Sequence, residues 1–260
     1  MSTKAKALLI DITKCIGCRA CEQACREGHG QPLEQPAKLT ATSFTYIDER
    51  GDKFVRRLCQ HCEDPACASA CLVGALSKSP LGPVVYAANK CVGCRYCMVA
   101  CPYQVPKYEW SKLAPFMRKC DMCYDRVSQG QQTRCAEACP TGATLFGTRE
   151  ELLREAHKRL LENSSYVQHI YGETELGGTS ILYVSDVPFE KLGFLQPPNQ
   201  EPMPTLSEAA LGDTPTVVLV GGSLLAGLYW ITQRRREVLL AEGRLSVESE
   251  GPIFQGKERS

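Results

Sequence analysis

Sixteen of the 260 residues are cysteine, and they fall into four spaced groups: Cys15-Cys18-Cys21-Cys25, Cys59-Cys62-Cys67-Cys71, Cys91-Cys94-Cys97-Cys101 and Cys120-Cys123-Cys135-Cys139. A C-x2-C-x2-C-x3-C-P run holds three irons of one 4Fe–4S cube and sends its last cysteine to a second cube. Cys91-Cys94-Cys97-Cys101-Pro102 has this pattern in full. The first group carries Arg26 in place of the proline, and the second has a longer gap and Leu72. The fourth stretches its middle gap but closes as Cys135-x3-Cys139-Pro140. At four thiolates per cluster, the cysteines hold four 4Fe–4S clusters with none left over.

Other uses of cysteine fit less well. A zinc ribbon takes two C-x2-C pairs and leaves the third and fourth cysteines idle. A disulfide framework has no reason to place three cysteines two residues apart, twice over. No isolated C-x2-C suggests a thioredoxin-like pair, and no C-x3-C-x2-C occurs, since Gly28, Gly74, Gln104 and Gly142 stand where its last cysteine would fall. A cube held on every iron by thiolate has no open position for substrate, so it carries electrons. No nucleophile–base pair or dinucleotide loop is present, and no catalytic residue is expected. His29, His61, His157 and His169 are scattered and are read as surface residues or neighbours of ligands. His61, between Cys59 and Cys62, is the one placed to tune a potential. The net charge of +1 gives no pull toward nucleic acid.

The elements that must position these cysteines are short. Cys15-Ile16-Gly17-Cys18-Arg19-Ala20-Cys21 echoes Cys91-Val92-Gly93-Cys94-Arg95-Tyr96-Cys97, which implies a duplicated unit over residues 1–148. Strand-like pieces at 7–12, 43–47 and 83–87 alternate with turns, which predicts small βαβ-like units around inorganic cores. Residues 149–213 come next as an extension. Its amphipathic helix runs from Arg149 to Leu161 behind Thr148 as N-cap, a strand covers 179–184, and a Pro-rich linker from Val187 to Pro215 is expected to lack regular structure. Residues 214–233 are uncharged and span about 30 Å as a helix, enough for the hydrocarbon core of a bilayer. Tyr229 and Trp230 sit at the interface position, and Arg234-Arg235-Arg236 come directly after. Residues 234–260 then form a polar tail, on the cytoplasmic side by the positive-inside rule. The run Ala7 to Ile10 is too short for a signal-peptide core, so no export signal is expected.

The four groups in this order, with His61-Cys62-Glu63-Asp64-Pro65-Ala66-Cys67 and Lys119-Cys120-Asp121-Met122-Cys123-Tyr124-Asp125-Arg126, resemble the four-cluster electron-transfer (beta) subunits of respiratory molybdopterin oxidoreductases. Tyr171-Gly172-Glu173, Gly177-Gly178-Thr179 and the single hydrophobic helix look most like the beta subunit of membrane-bound formate dehydrogenase. The iron–sulfur subunit of membrane-bound nickel–iron hydrogenase comes second. The resemblance implies an α+β fold of two ferredoxin-like dicluster units plus one C-terminal transmembrane helix. It also implies crossed ligation: Cys15, Cys18, Cys21 and Cys139 for cluster one; Cys120, Cys123, Cys135 and Cys25 for cluster two. Cluster three takes Cys59, Cys62, Cys67 and Cys101, and cluster four takes Cys91, Cys94, Cys97 and Cys71. The implied partners are a catalytic alpha subunit, of molybdenum- or tungsten-pterin type or a nickel–iron one, and a membrane cytochrome b. The implied location is the inner membrane, single-pass, with the cluster domain periplasmic and carried across by its partner. A free polyferredoxin shuttling between soluble enzymes is the alternative, but it would have an acidic docking surface and no anchor.

Overall fold

The computed structural model describes residues 5–32, 37–110 and 115–244. In chain order its elements are β1 (Lys6–Asp11), α1 (Ala20–His29), β2 (Thr45–Arg50), β3 (Lys53–Leu58), α2 (Ala66–Ser69), β4 (Leu76–Lys78) and β5 (Val84–Tyr86). After these come α3 (Tyr96–Ala100), β6 (Lys107–Tyr108), β7 (Met117–Arg118), α4 (Tyr124–Val127), α5 (Arg134–Glu137), β8 (Thr144–Thr148), α6 (Arg149–Glu162), β9 (Ile181–Val184) and α7 (Met203–Ala241).

An apolar run without alternation, Ala7-Leu8-Leu9-Ile10, suits a strand covered on both faces, and β1 is one. It lies at the centre of a three-stranded sheet, antiparallel to β8 and parallel to β9. Ala7 and Leu9 face α6, whose Leu152, Ala156 and Leu160 are buried against them. Leu8 and Ile10 face the opposite way, into a core with Tyr171, Tyr183, Phe189 and Phe194. The period of two in the strand thus sends alternate residues to two different cores. Helix α6 starts as the sequence predicts. Thr148 accepts from the Glu151 N–H, and the Glu151 carboxylate accepts from the Thr148 N–H, a reciprocal capping box.

Two features depart from the sequence reading. The stretch after Val187 has no helix or strand up to residue 202, yet it is no free linker: Phe189, Leu192 and Phe194 are buried, with the Phe194 ring 4.6 Å from Tyr171 and 4.9 Å from Tyr183. Aromatic burial holds this segment where hydrogen-bond ladders do not. Regular structure then resumes at Met203, well before residue 214, because Pro204 sits in the first turn of α7, where its missing N–H costs nothing. Pro215 lies inside this 39-residue helix, which continues through Arg234–Arg236 to Ala241. The expected tail beyond residue 244 lies outside the described residues.

The chain divides into two compact units, Met1–Leu206 and Ser207–Ser260. In the second, the described residues are those of α7 from Ser207 on and the turn after it, and α7 is long and apolar enough to cross a membrane by length and composition. Val217, Leu219, Leu225, Leu228 and Trp230 are all more than half exposed, so apolar side chains clothe every face. In the first unit, Gly172 holds a φ of +96°, and the Ile181 carbonyl oxygen lies well inside contact distance of where a Cβ would sit. Gly172→Ala must push β9 away from this turn, and a loss of about 2–3 kcal/mol is expected in an unfolding titration.

Candidate metal centres

Each cysteine group is delivered by a tight loop turned left-handed at the residue before its second cysteine. These residues are Gly17 (φ +69°), His61 (+47°), Gly93 (+73°) and Met122 (+57°). Glycine takes this conformation freely, whereas His61 and Met122 are held in it by burial. Arg19 and Arg95 repeat the turn at matching positions, where α1 and α3 begin. At three of the four closing cysteines the chain turns left-handed again three residues on, at Gly74, Gln104 and Gly142. This bend directs the next N–H back at sulfur: Ala75 N donates to Cys71 Sγ at 3.1 Å. The absent C-x3-C-x2-C cysteine is therefore replaced by a turn residue.

Cys25 is the exception. Here α1 continues through the position that carries proline elsewhere, and Arg26 uses its place to bond Glu22 at 3.0 Å, both side chains buried. The Arg26 departure is thus a helix where the other groups have a turn. His29, one turn on, bonds the Cys25 carbonyl at 2.8 Å and Asp121 at 3.3 Å. Asp121 and the Cys25 sulfur raise it to about 11.

All sixteen thiols are unpaired with one another by disulfide. One pocket is lined by Cys15, Cys18, Cys21 and Cys139 with Ile10, Ile47 and Arg56. Another is lined by Cys71, Cys91, Cys94 and Cys97 with Leu76, Tyr108 and Met117. In each, three cysteines of one group meet the last cysteine of another. Burial, then Cys59, Cys101 and Cys67, raise the Cys62 thiol well above the ordinary range, which puts these three cysteines near it. Burial and then Cys25 do the same to Cys120, and Cys135 adds to the rise at Cys123, where burial is again the first cause.

These surroundings suit a cluster. Among the described residues, no three Cys, His, Asp or Glu side chains converge as ligands of one ion do. A cube spreads its thiolates over four irons. Burial pushes Cys139 up, and the N–H groups of Thr144, Ala143 and Thr141 outweigh it and hold the thiol below its ordinary value. Such N–H donors stabilise thiolate, the form that binds iron. His61, which the sequence marked as a tuner, is buried. Its Nδ1 accepts from Val84 N at 2.9 Å, so Nε2 carries the proton, and that buried donor has no hydrogen-bond partner among the described residues. Burial, then Lys119 and Lys78, hold the ring neutral. An orphaned N–H on a cysteine loop is a ready donor to cluster sulfur. Sequence reasoning missed Arg56 and Lys78, two cations near these loops, because they lie outside the cysteine motifs, and it gave no role to Lys119, which stands inside one.

Residues 52–149 match the 4Fe-4S dicluster domain family. The chain is 39% identical over 233 residues to the Hydrogenase-2 operon protein HybA of Escherichia coli O157:H7, covering 71% of each chain. It is 38% identical over 200 residues to the nitrate-inducible formate dehydrogenase iron-sulfur subunit of Escherichia coli K12, covering 68% of this chain and 67% of that one. The formate dehydrogenase iron-sulfur subunit of Haemophilus influenzae is 32% identical over 251 residues, covering 87% and 80%. The chain belongs to this family of iron–sulfur subunits. As a member of it, the chain is a 4Fe–4S protein, and its α+β fold of ferredoxin-like units is that of an electron-transfer subunit.

Proposed function

We propose that this chain relays electrons through four 4Fe–4S sites from a catalytic subunit of formate dehydrogenase type to a membrane cytochrome b and the quinone pool. When bound, the clusters take up and release single electrons. The residues hold them in the crossed sets Cys15/Cys18/Cys21/Cys139, Cys25/Cys120/Cys123/Cys135, Cys59/Cys62/Cys67/Cys101 and Cys71/Cys91/Cys94/Cys97.

The observation that supports this reading is that each proposed set has a cysteine beside one of the next. Cys21 of the first feels Cys135 of the second, Cys120 of the second feels Cys59 of the third, and Cys67 of the third feels Cys97 of the fourth. Only Cys18 and Cys94 are exposed, and they belong to the first and last sets. Exposed cysteine in the first and last proposed sets, and none in the two between them, is what a relay between two partners requires. Around the last set Leu72, Val92, Tyr96 and Val99 are exposed apolar residues, which supports docking of an apolar subunit there. The exposed apolar α7 supports an anchor over residues 214–233. Arg234–Arg236 then favour a cytoplasmic side for the C-terminal residues and an extracytoplasmic side for the cluster unit.

The similarity to HybA favours a second reading, in which the catalytic partner is a nickel–iron hydrogenase. Gentle detergent extraction tests both. About sixteen irons with matching sulfide per chain are expected, along with molybdenum or tungsten in the co-purifying partner, or nickel under the second reading. Stoichiometric zinc, or recovery of the chain in the soluble fraction without detergent, overturns the proposal.

A further inference from the structure

Arg56 lies on β3, 3% exposed, on a hairpin that contributes no cysteine. Its Nε donates to Thr45 Oγ1 at 3.1 Å and its Nη1 contacts Thr144 Oγ1 at 3.4 Å, both neutral groups. Arg26, the other buried arginine, has Glu22 at 3.0 Å, and the part-buried Arg159 and Lys78 have Asp11 at 2.8 Å and Glu63 at 3.2 Å, while the buried Lys119 donates to the carbonyls of Val84 and Cys120. Among the described residues no carboxylate pairs with Arg56. Its guanidinium lines the pocket of Cys15, Cys18, Cys21 and Cys139. Burial works against its charge, and the nearby sulfurs of Cys135, Cys21 and Cys120, which span two of the proposed sets, outweigh it.

A buried charge is retained when an anion compensates it. A thiolate-bound cube is an anion, and each electron it accepts adds a further negative charge. We infer that Arg56 is a fixed countercharge shared by the Cys15/Cys18/Cys21/Cys139 and Cys25/Cys120/Cys123/Cys135 clusters, and that it raises the reduction potential of both. The inference rests on the site assignment proposed above. Arg56 acts by position: it ligates nothing, and its guanidinium stays charged at every working pH, so its effect is constant. Nearby charge is one of the terms that set the potential of a thiolate-bound cluster, and low exposure keeps that charge unscreened.

The test is an EPR-monitored redox titration of the full chain purified with its partners, alongside iron and sulfide analysis. In Arg56→Gln with undiminished iron, two of the four midpoints are expected to move to more negative potential while two stay in place. Arg56→Lys should return the moved pair toward wild type. Unmoved midpoints in an iron-replete Arg56→Gln chain overturn the inference, as does an equal shift of all four. If Arg56→Gln loses iron, Thr45→Asp decides, because it keeps the guanidinium and sets a carboxylate against it. Lowered midpoints at the same two clusters support the shared countercharge, and unchanged ones overturn it. Fewer than four clusters in the wild-type chain would instead overturn the site assignment.

Discussion

Alanine in place of Cys139 is expected to abolish the same EPR signal as alanine in place of Cys15, and to spare the signal lost from a Cys120→Ala chain. Cys135 is only four residues before Cys139, yet the proposal assigns the two to different sites: Cys135 adjoins Cys123, whereas Cys139 shares a pocket with Cys15, Cys18 and Cys21. Alanine leaves an iron without its thiolate, and the N–H groups of Thr141, Ala143 and Thr144 that held the sulfur in its charged form face an empty position. The iron content should fall by about four atoms per chain. Loss of the Cys120 signal in the Cys139→Ala chain would show that ligation is not crossed.

Asp11→Ala should be the most destabilising change outside the cysteines. Asp11 is fully buried at the end of β1. One carboxylate oxygen accepts from the N–H of Thr13 at 3.1 Å and its hydroxyl at 2.6 Å; the other accepts from Arg159 at 2.8 Å and the Tyr166 hydroxyl at 2.9 Å. The one side chain therefore ties the strand, the loop entering Cys15 and helix α6 together. Removing it strands a half-buried guanidinium, at a cost of about 3–5 kcal/mol. For a chain of this size the unfolding temperature should drop by roughly 10 °C. Asp11→Asn, which keeps the shape and some of the bonds, should lose less. Equal losses from the two variants would mean that the charge contributes nothing.

The parts of the site that obey a short-range rule were legible in the sequence. Cysteine spacing specifies loop geometry because three thiolates two residues apart can reach one cube, and Thr148 with Glu151 specifies a helix start because both partners lie within one turn. Long-range features were not legible. Nothing in Ile181–Val184 announces that it lies parallel to β1 rather than beside a nearer strand, since its apolar run fits any buried position. Phe189, Leu192 and Phe194 were hidden by the prolines around them, which read as linker. Arg56 reads in sequence as one of three cations in Arg56-Arg57 and Lys53, and only the fold distinguishes it. Arg57 stacks on Phe194 at 4.4 Å and bonds Asp48, and Lys53 pairs with Asp186, while Arg56 turns inward to the cysteines.

The placement of β1 sets the order in which this protein is completed during synthesis. The hairpins β2–β3 and β4–β5 close within a few residues of their own turns. By contrast, β1 leaves the ribosome well before its two neighbours, which come only with residues 144–148 and 181–184. Until then its apolar face is an open sheet edge, the kind of surface that holdase chaperones recognise. The hairpins thus close before β1 is paired, and the strand that leads into Cys15 is held on both edges only when almost the whole of the first unit has emerged.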